Sequence, residues 1–385
     1  MKNLACFLCC IAFTFNLSAQ AQHLTITPAH PKPGEIIRFE YDIQKSPLNE
    51  STETIDVTAV EFAGKTPETK DVMLQYAGGK ITGSFTLSKE AQVAMLGFQA
   101  GERRDNNSGE GYFITLSDAS GKVTPKSWAA QAVLYRDWGS MFELNRKTTT
   151  ALELLTQAFA AKPELRQQYF SPYVTNLMAV KRGDAGKAEA QVLLEEVEKS
   201  TSLEEKDWIA MARLYDRLSL AEKANAIRDK IRKNHPKGVF VRQERRQAMR
   251  NEPDLSKQET MVDAYLKDFP PANDAEQEEV NELYFALGNK AAEKKNWALL
   301  DKAAARMQAD NRASLYNNVS WELAENGEEL EKARKMAAEA TEWAKTEIAM
   351  PKEKKPGYQT AKEWELDRKQ TFGQYADTYA YILDK

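Results

Sequence analysis

The side chains that could do chemistry in this 385-residue chain are sparse where chemistry needs them clustered. Only three histidines are present, His23, His30 and His235, and none has a second histidine or a cysteine at ligand spacing. Zinc-type sites need several such ligands in short spacings, so no metal site is expected. His235 falls at the end of a helical pattern, where an imidazole serves terminal carbonyls. All three cysteines, Cys6, Cys9 and Cys10, lie in the first ten residues. Once that segment is removed the chain holds no thiol, which excludes disulfides, thiol exchange and a cysteine nucleophile.

Carboxylates are the opposite case. With 57 acidic residues, adjacent pairs such as Glu195 and Glu196 arise from composition alone and are read as solvated helix faces. Asp105 to Gly111 places oxygen ligands at alternating positions, like the start of a calcium loop. Its sixth position is Glu110 rather than glycine and its twelfth is Leu116 rather than an acid, so a polar hairpin turn is the better reading. Gly183 to Glu189 contains a Gly-Lys pair without the rest of a phosphate loop, and is read as a helix start. No nucleophile elbow or dinucleotide fingerprint occurs. No catalytic residue, no cofactor-binding residue and no cofactor are expected.

Two patterns point to contact rather than catalysis. Arg242, Arg246 and Arg250 recur every fourth residue and form a stripe along one helix face. Such a stripe suits an anionic partner, or pairs with nearby acids such as Glu244 and Glu252. The seven tryptophans, Trp128, Trp138, Trp208, Trp297, Trp321, Trp343 and Trp364, all follow residue 126 and are expected mostly in interhelix core. The net charge of −4 argues against a nucleic-acid surface.

These side chains must be positioned by elements of two kinds, behind a leader. Lys2, the apolar run Leu4 to Phe15, polar Asn16 and Ser18, and then Ala19-Gln20-Ala21 read as a signal peptide spanning 1–21 and cleaved after about Ala21. The apolar run is shorter than the ~20 residues a spanning helix needs, and no later segment approaches that length. The expected location is the periplasm or the cell surface. Residues 22–125 alternate in short β runs closed by Gly, Pro, Asn or Asp. Ile37, Phe39 and Tyr41 share one side. About seven such runs in about 100 residues predict an immunoglobulin-like β-sandwich.

Near Lys126 the period changes to three and four, and residues 126–385 predict roughly ten to twelve short helices paired by tight turns. Glu205 to Lys237 resembles a tetratricopeptide repeat. Trp208, Met211, Ala212, Tyr215, Ala224 and Pro236 occupy that motif's tryptophan, leucine, small, tyrosine, alanine and terminal proline positions. Arg228 replaces the usual aromatic, and Ile231 a small residue. Asn317 to Ala344 resembles the same repeat, with Trp321 on a first helix and Ala333, Ala337 and Ala340 at the small positions of a second. Thr371 to Lys385 reads as a further first helix whose partner is missing, so Tyr375, Tyr379 and Ile382 are expected to lack cover and the array to end mid-repeat.

The opening Leu24 to Asp42, the loop Asp105 to Lys122 and the later repeats together are similar to the N-terminal part of TlpA-like thioredoxin-fold envelope proteins. The resemblance implies a sandwich and a helical region placed before a redox domain. The Cys-X-X-Cys that carries the family's chemistry is absent here, so no redox residue transfers and a redox domain would lie beyond Lys385. The expectation is an exported, non-catalytic scaffold that binds a protein or peptide through its helices. The alternative is the accessory region of a thiol-disulfide oxidoreductase.

Overall fold

A computed structural model describes residues 23–64 and 66–385; the segment read as a leader to Ala21, with all three cysteines, lies outside them. The described chain is an antiparallel β region followed by helices, and it packs as two compact units that part between Ala158 and Phe159. The change of secondary structure comes earlier, at Pro125, because the first helices after the strands pack with the strands.

The β region has strands β1 (Leu24–Thr27), β2 (Ile36–Asp42), β3 (Ile55–Phe62), β4 (Pro67–Asp71), β5 (Met73–Ala77), β6 (Lys80–Thr86), β7 (Val93–Ala100), β8 (Arg103–Asp105) and β9 (Tyr112–Thr115). One sheet runs β1-β2-β6-β5. The other runs β4-β3-β7, with both β8 and β9 along the free side of β7. Taking β8 and β9 as one interrupted strand, this is the A-B-E-D and C′-C-F-G order of an immunoglobulin-type sandwich. Alternation on β2 sends Ile37, Phe39 and Tyr41 inward, as its pattern predicts. Tyr41 stacks on Phe98 of β7 with ring centroids 3.9 Å apart, and Phe39 meets the same ring edge-on at 6.0 Å. With no disulfide between the sheets, this aromatic contact carries the centre of the core.

β7 is buried along nearly its whole length because its second face is also covered. Helix α1 (Pro125–Val133) packs on β7 and β9. Ala129, Ala130 and Ala132 are fully buried, and their small side chains allow the close approach. Thr124 caps α1 by accepting from the Ser127 amide, and the Ser127 hydroxyl accepts from the Leu116 amide at 2.9 Å.

The helices that follow are α2 (Thr148–Ala161), α3 (Leu165–Val180), α4 (Asp184–Glu198), α5 (Glu205–Arg217), α6 (Ala221–Asn234), α7 (Val239–Asn251), α8 (Leu255–Asp268), α9 (Asp274–Glu293), α10 (Trp297–Ala304), α11 (Ala309–Asn326), α12 (Leu330–Ala349) and α13 (Ala361–Asp384). With α1 that makes thirteen among the described residues, against the ten to twelve expected. Successive helices of the second unit pack pairwise, α3 with α4, α5 with α6, α9 with α10 and α11 with α12.

The α5–α6 pair coincides with the window that resembles a tetratricopeptide repeat. Trp208, Met211, Ala212, Tyr215 and Ala224 are all buried, and Pro236 stands just past the end of α6. Ile231 is core, while Arg228 faces out and pairs with Asp216. A positive φ of 64° at Ser219 lets the chain reverse between the helices.

The C-terminal end differs from its expectation. Helix α13 packs on α12 and α11, and buries Tyr375, Thr378 and Ile382. Tyr379 is partly buried against the core. The cover comes from the preceding helices: α13 is 24 residues long and lies along them, instead of waiting for a later partner.

Candidate functional site

At the end of the second unit, α9, α11, α12 and the segment that follows α12 line an open groove of about 1060 Å³. Its walls carry Glu278 from α9, Asp310 from α11, Glu339, Glu342 and Glu347 from α12, and Glu353 from the connecting segment, with Trp343 as the apolar wall. A side recess of about 200 Å³ shares Trp343, Glu347 and Glu353, and adds Tyr358, Trp364 and Arg368.

Local rules account for part of this acidity. Asp274 and Asp310 sit in the first turns of α9 and α11, where carboxylates complement the helix dipole. Glu347 does not follow that rule. It lies in the last turn of α12, where the dipole disfavours negative charge, and it is only 4% exposed. Its Oε2 is held by the backbone amides of Lys352 at 2.9 Å and Glu353 at 3.4 Å. Buried Glu347 thereby folds the start of the connecting segment back over the groove.

Cations do not balance the site. Lys354 pairs with Asp274 at 3.0 Å, and Arg312 with Glu339 at 3.0 Å. Glu278 accepts from side-chain amide nitrogens of Asn281 and Asn311. Burial, reinforced by the charges of Asp310, Glu347 and Glu278, pushes the Glu353 carboxyl up to about 7, against the opposing pull of Arg368. Arg368 lies 3.8 Å over the Trp364 ring, and its Nε and Nη1 are buried with no hydrogen-bond partner. Among the described residues no three His, Cys, Asp or Glu side chains are grouped to hold a metal ion, so these carboxylates form a negative lining and not a chelate. No described helix is long and apolar enough to cross a membrane.

The structure redistributes the residues singled out in sequence. Arg242, Arg246 and Arg250 do not form an open stripe, and their partners are not Glu244 and Glu252. They interdigitate with acids of α9: Arg242 with Glu276 at 2.9 Å, Arg246 with Glu279 at 3.0 Å and Arg250 with Glu282 at 2.8 Å. Glu244 pairs instead with Arg232. The stripe is an interhelix ladder, because a second helix with acids three apart lies alongside it. Ala333, Ala337 and Ala340 are fully buried as expected. Trp321 is not: 41% of it is exposed, with its ring 5.1 Å from Tyr381. On α11 the inward face is Val319, Ser320, Leu323 and Ala324, which turns Trp321 outward.

The Gly-Lys pair proves structural, since a Cβ on Gly186 would come within 1.9 Å of the Lys181 carbonyl oxygen. The loop from Asp105 is a buried polar knot. Asp105 Oδ2 accepts from the hydroxyls of Tyr41 and Tyr112 and lies 3.0 Å from His23 Nε2. Neither the groove nor this knot was singled out in sequence. The available signal for the groove was the segment Pro351 to Thr360, a charged insertion with two prolines where paired helices use a tight turn.

No family model matches this chain, and no curated protein matches it.

Proposed function

We propose that this chain is an exported interaction scaffold, without a catalytic role, whose helical unit binds a polypeptide partner by its basic side chains. The observation that carries this reading is the groove, where carboxylates from four elements line a cavity large enough for a peptide segment, beside Trp343. A lysine or arginine entering it gains charge pairing with Glu278 and Asp310, and a cation–π contact on the indole face. The leader pattern to Ala21 supports export. Alanine-rich crossings such as Ala333, Ala337 and Ala340 support a repeat-type array, the architecture that builds extended binding surfaces.

The test is fluorescence anisotropy with labelled Lys/Arg-rich and Asp/Glu-rich peptides of equal length. The basic peptide is expected to bind more tightly, to weaken with added salt, and to lose about tenfold or more in affinity when Trp343→Ala is combined with Asp310→Asn. Equal affinity for both peptides would overturn the reading.

A second reading follows the order of the parts. A sandwich followed by helices is the arrangement implied by the resemblance to TlpA-like proteins, and on this reading the chain is the accessory region of a thiol-disulfide oxidoreductase. Coding sequence that runs past Lys385 into a Cys-X-X-Cys would support it. A stop codon there would remove it.

A further inference from the structure

The first unit gathers four donor atoms at one buried point. His23 stands one residue before β1, Tyr41 near the end of β2, Asp105 at the end of β8 and Tyr112 at the start of β9. Strand pairing sets their positions: Leu24 lies opposite Tyr41, Asp105 opposite Phe98 and Tyr112 opposite Leu96. The His23 carbonyl accepts from the Asp42 amide at 2.7 Å. His23 Nε2 is 3.0 Å from Asp105 Oδ2 and 2.7 Å from the Tyr112 hydroxyl. That hydroxyl is 2.9 Å from Asp105 Oδ2, and the Tyr41 hydroxyl is 2.7 Å from the same oxygen.

Hydrogen bonding alone fills this point awkwardly. Nε2, the Tyr112 oxygen and Oδ2 lie mutually within 3.0 Å, which makes three edges. The protons that can bridge them are the Tyr112 hydroxyl's and at most one on Nε2, since a carboxylate brings none. One proton must therefore serve two edges. The same spacing is natural around a small cation, because ligands about 2.1 Å from an octahedral ion stand about 3.0 Å from their neighbours. Outer contacts already hold the donors in place. The Asn107 amide donates to Asp105 Oδ1 at 3.1 Å, Ser46 hydrogen-bonds to Tyr41, and Phe98 stacks on Tyr41 and meets Tyr112 edge-on. Tyr41, Asp105 and Tyr112 are buried, and the His23 side chain, 12% exposed, is the least buried of the four.

We propose that His23, Tyr41, Asp105 and Tyr112 form a binding site for a hard trivalent cation of the ferric type. Binding breaks the two phenolic O–H bonds. Each oxygen keeps the electron pair and shares it with the metal, both protons leave to solvent, and no oxidation state changes. His23 presents the Nε2 lone pair and keeps its proton on Nδ1. One carboxylate and two phenolates then match the three charges of the ion, so no buried charge is left unpaired. Charge also selects the ion. Burial, with Asp105 adding to it, holds both phenols above their ordinary range, against the Ser46 hydrogen bond at Tyr41. A divalent ion, which pulls on these oxygens more weakly, does not displace their protons. Two of the four donors are phenols, so histidine and cysteine spacing does not disclose the set in sequence. The site lies in the first unit and stands or falls apart from the binding function proposed above.

Titration of the full chain with ferric nitrilotriacetate, followed by visible absorption, tests it. Iron is expected to give a phenolate-to-iron charge-transfer band that saturates at one equivalent, and an equal concentration of zinc to leave that band in place. Tyr41→Phe and Tyr112→Phe are each expected to weaken the band, and the double variant to abolish it. His23→Gln, at the least buried position, is expected to stay folded by circular dichroism and to lose about tenfold or more in iron affinity against citrate. Tyr358→Phe, at an exposed tyrosine of the second unit, is expected to change nothing. A wild-type chain that stays colourless would overturn the proposal. So would a band that survives the double tyrosine variant, an iron affinity unchanged in His23→Gln, or zinc that displaces iron at equal concentration.

Discussion

The Tyr41 hydroxyl donates to Asp105 Oδ2 at 2.7 Å, joining two residues 64 positions apart, across the sandwich, at a site only 2% exposed on the Asp105 side. Tyr112 donates to the same carboxylate and the Asn107 amide to its other oxygen. One carboxylate thus fixes the inner end of β2, the interrupted edge strand and the loop between β8 and β9. Replacing Asp105 with Ala would remove the acceptor that two buried hydroxyls share, leaving His23 to Tyr112 and Ser46 to Tyr41. We expect a loss of about 2–4 kcal/mol in urea unfolding of the full chain. Tyr41→Phe, which removes one donor and leaves the carboxylate other partners, is expected to cost about 1–2 kcal/mol.

The same knot predicts an alkaline limit. Burial raises Tyr41 well above the ordinary phenol range, with the Ser46 hydrogen bond opposing and Asp105 adding to it; burial and then Asp105 raise Tyr112 likewise. The unfolded chain ionises these hydroxyls near pH ~10, while the folded chain keeps them protonated. Their contribution is therefore complete below about pH 10 and lost as pH rises above it. Urea midpoints are expected to fall between about pH 9 and about pH 11, and Tyr41→Phe to shrink that fall. A midpoint that stays level over this range would contradict the assignment.

Two tryptophans that the sequence reads as equivalent repeat positions differ in burial. Trp208 is 7% exposed in the α5–α6 core, with Lys230 Nζ 3.4 Å from its ring centroid, whereas Trp321 stands outward. Trp208→Ala is expected to destabilise by about 3–5 kcal/mol. Trp321→Ala is expected to cost less than about 1.5 kcal/mol. Thermal melts of the two variants side by side decide it.

The arginine ladder separates charge pairs by burial. Arg246 is 11% exposed against Glu279, while Arg245 pairs with Asp268 in the open. Removing Arg246 leaves its acid partner in a poorly solvated contact and is expected to cost about 2–4 kcal/mol. Arg245→Ala is expected to cost about 1 kcal/mol or less, and the cost to fade in high salt. Similar losses for both would show that the ladder is not shielded from water.

What the chain determined by itself lies in its periods. Alternation of Ile37, Phe39 and Tyr41 against Arg38 and Glu40 specifies a strand and its buried face. The three-and-four spacing from Trp208 to Ile231 specifies the α5–α6 pair, with Pro236 to end it. Both are local, because backbone geometry alone puts residues two apart, or three and four apart, on one side.

Tertiary structure decided what each face meets, since that depends on residues distant in sequence. The arginine stripe is legible, but its partners Glu276, Glu279 and Glu282 are known only once α9 lies beside α7. Trp321 carries the repeat's signature residue, yet the packing of α11 on its neighbours selects Val319 and Leu323 for the interior. The C-terminal Tyr375 and Ile382 look uncovered in a linear reading because the helices that bury them come before them. Glu353 is one acid among 57 in sequence. The neighbours that raise its carboxyl above the ordinary range, Asp310, Glu347 and Glu278, come from three helices distant in sequence.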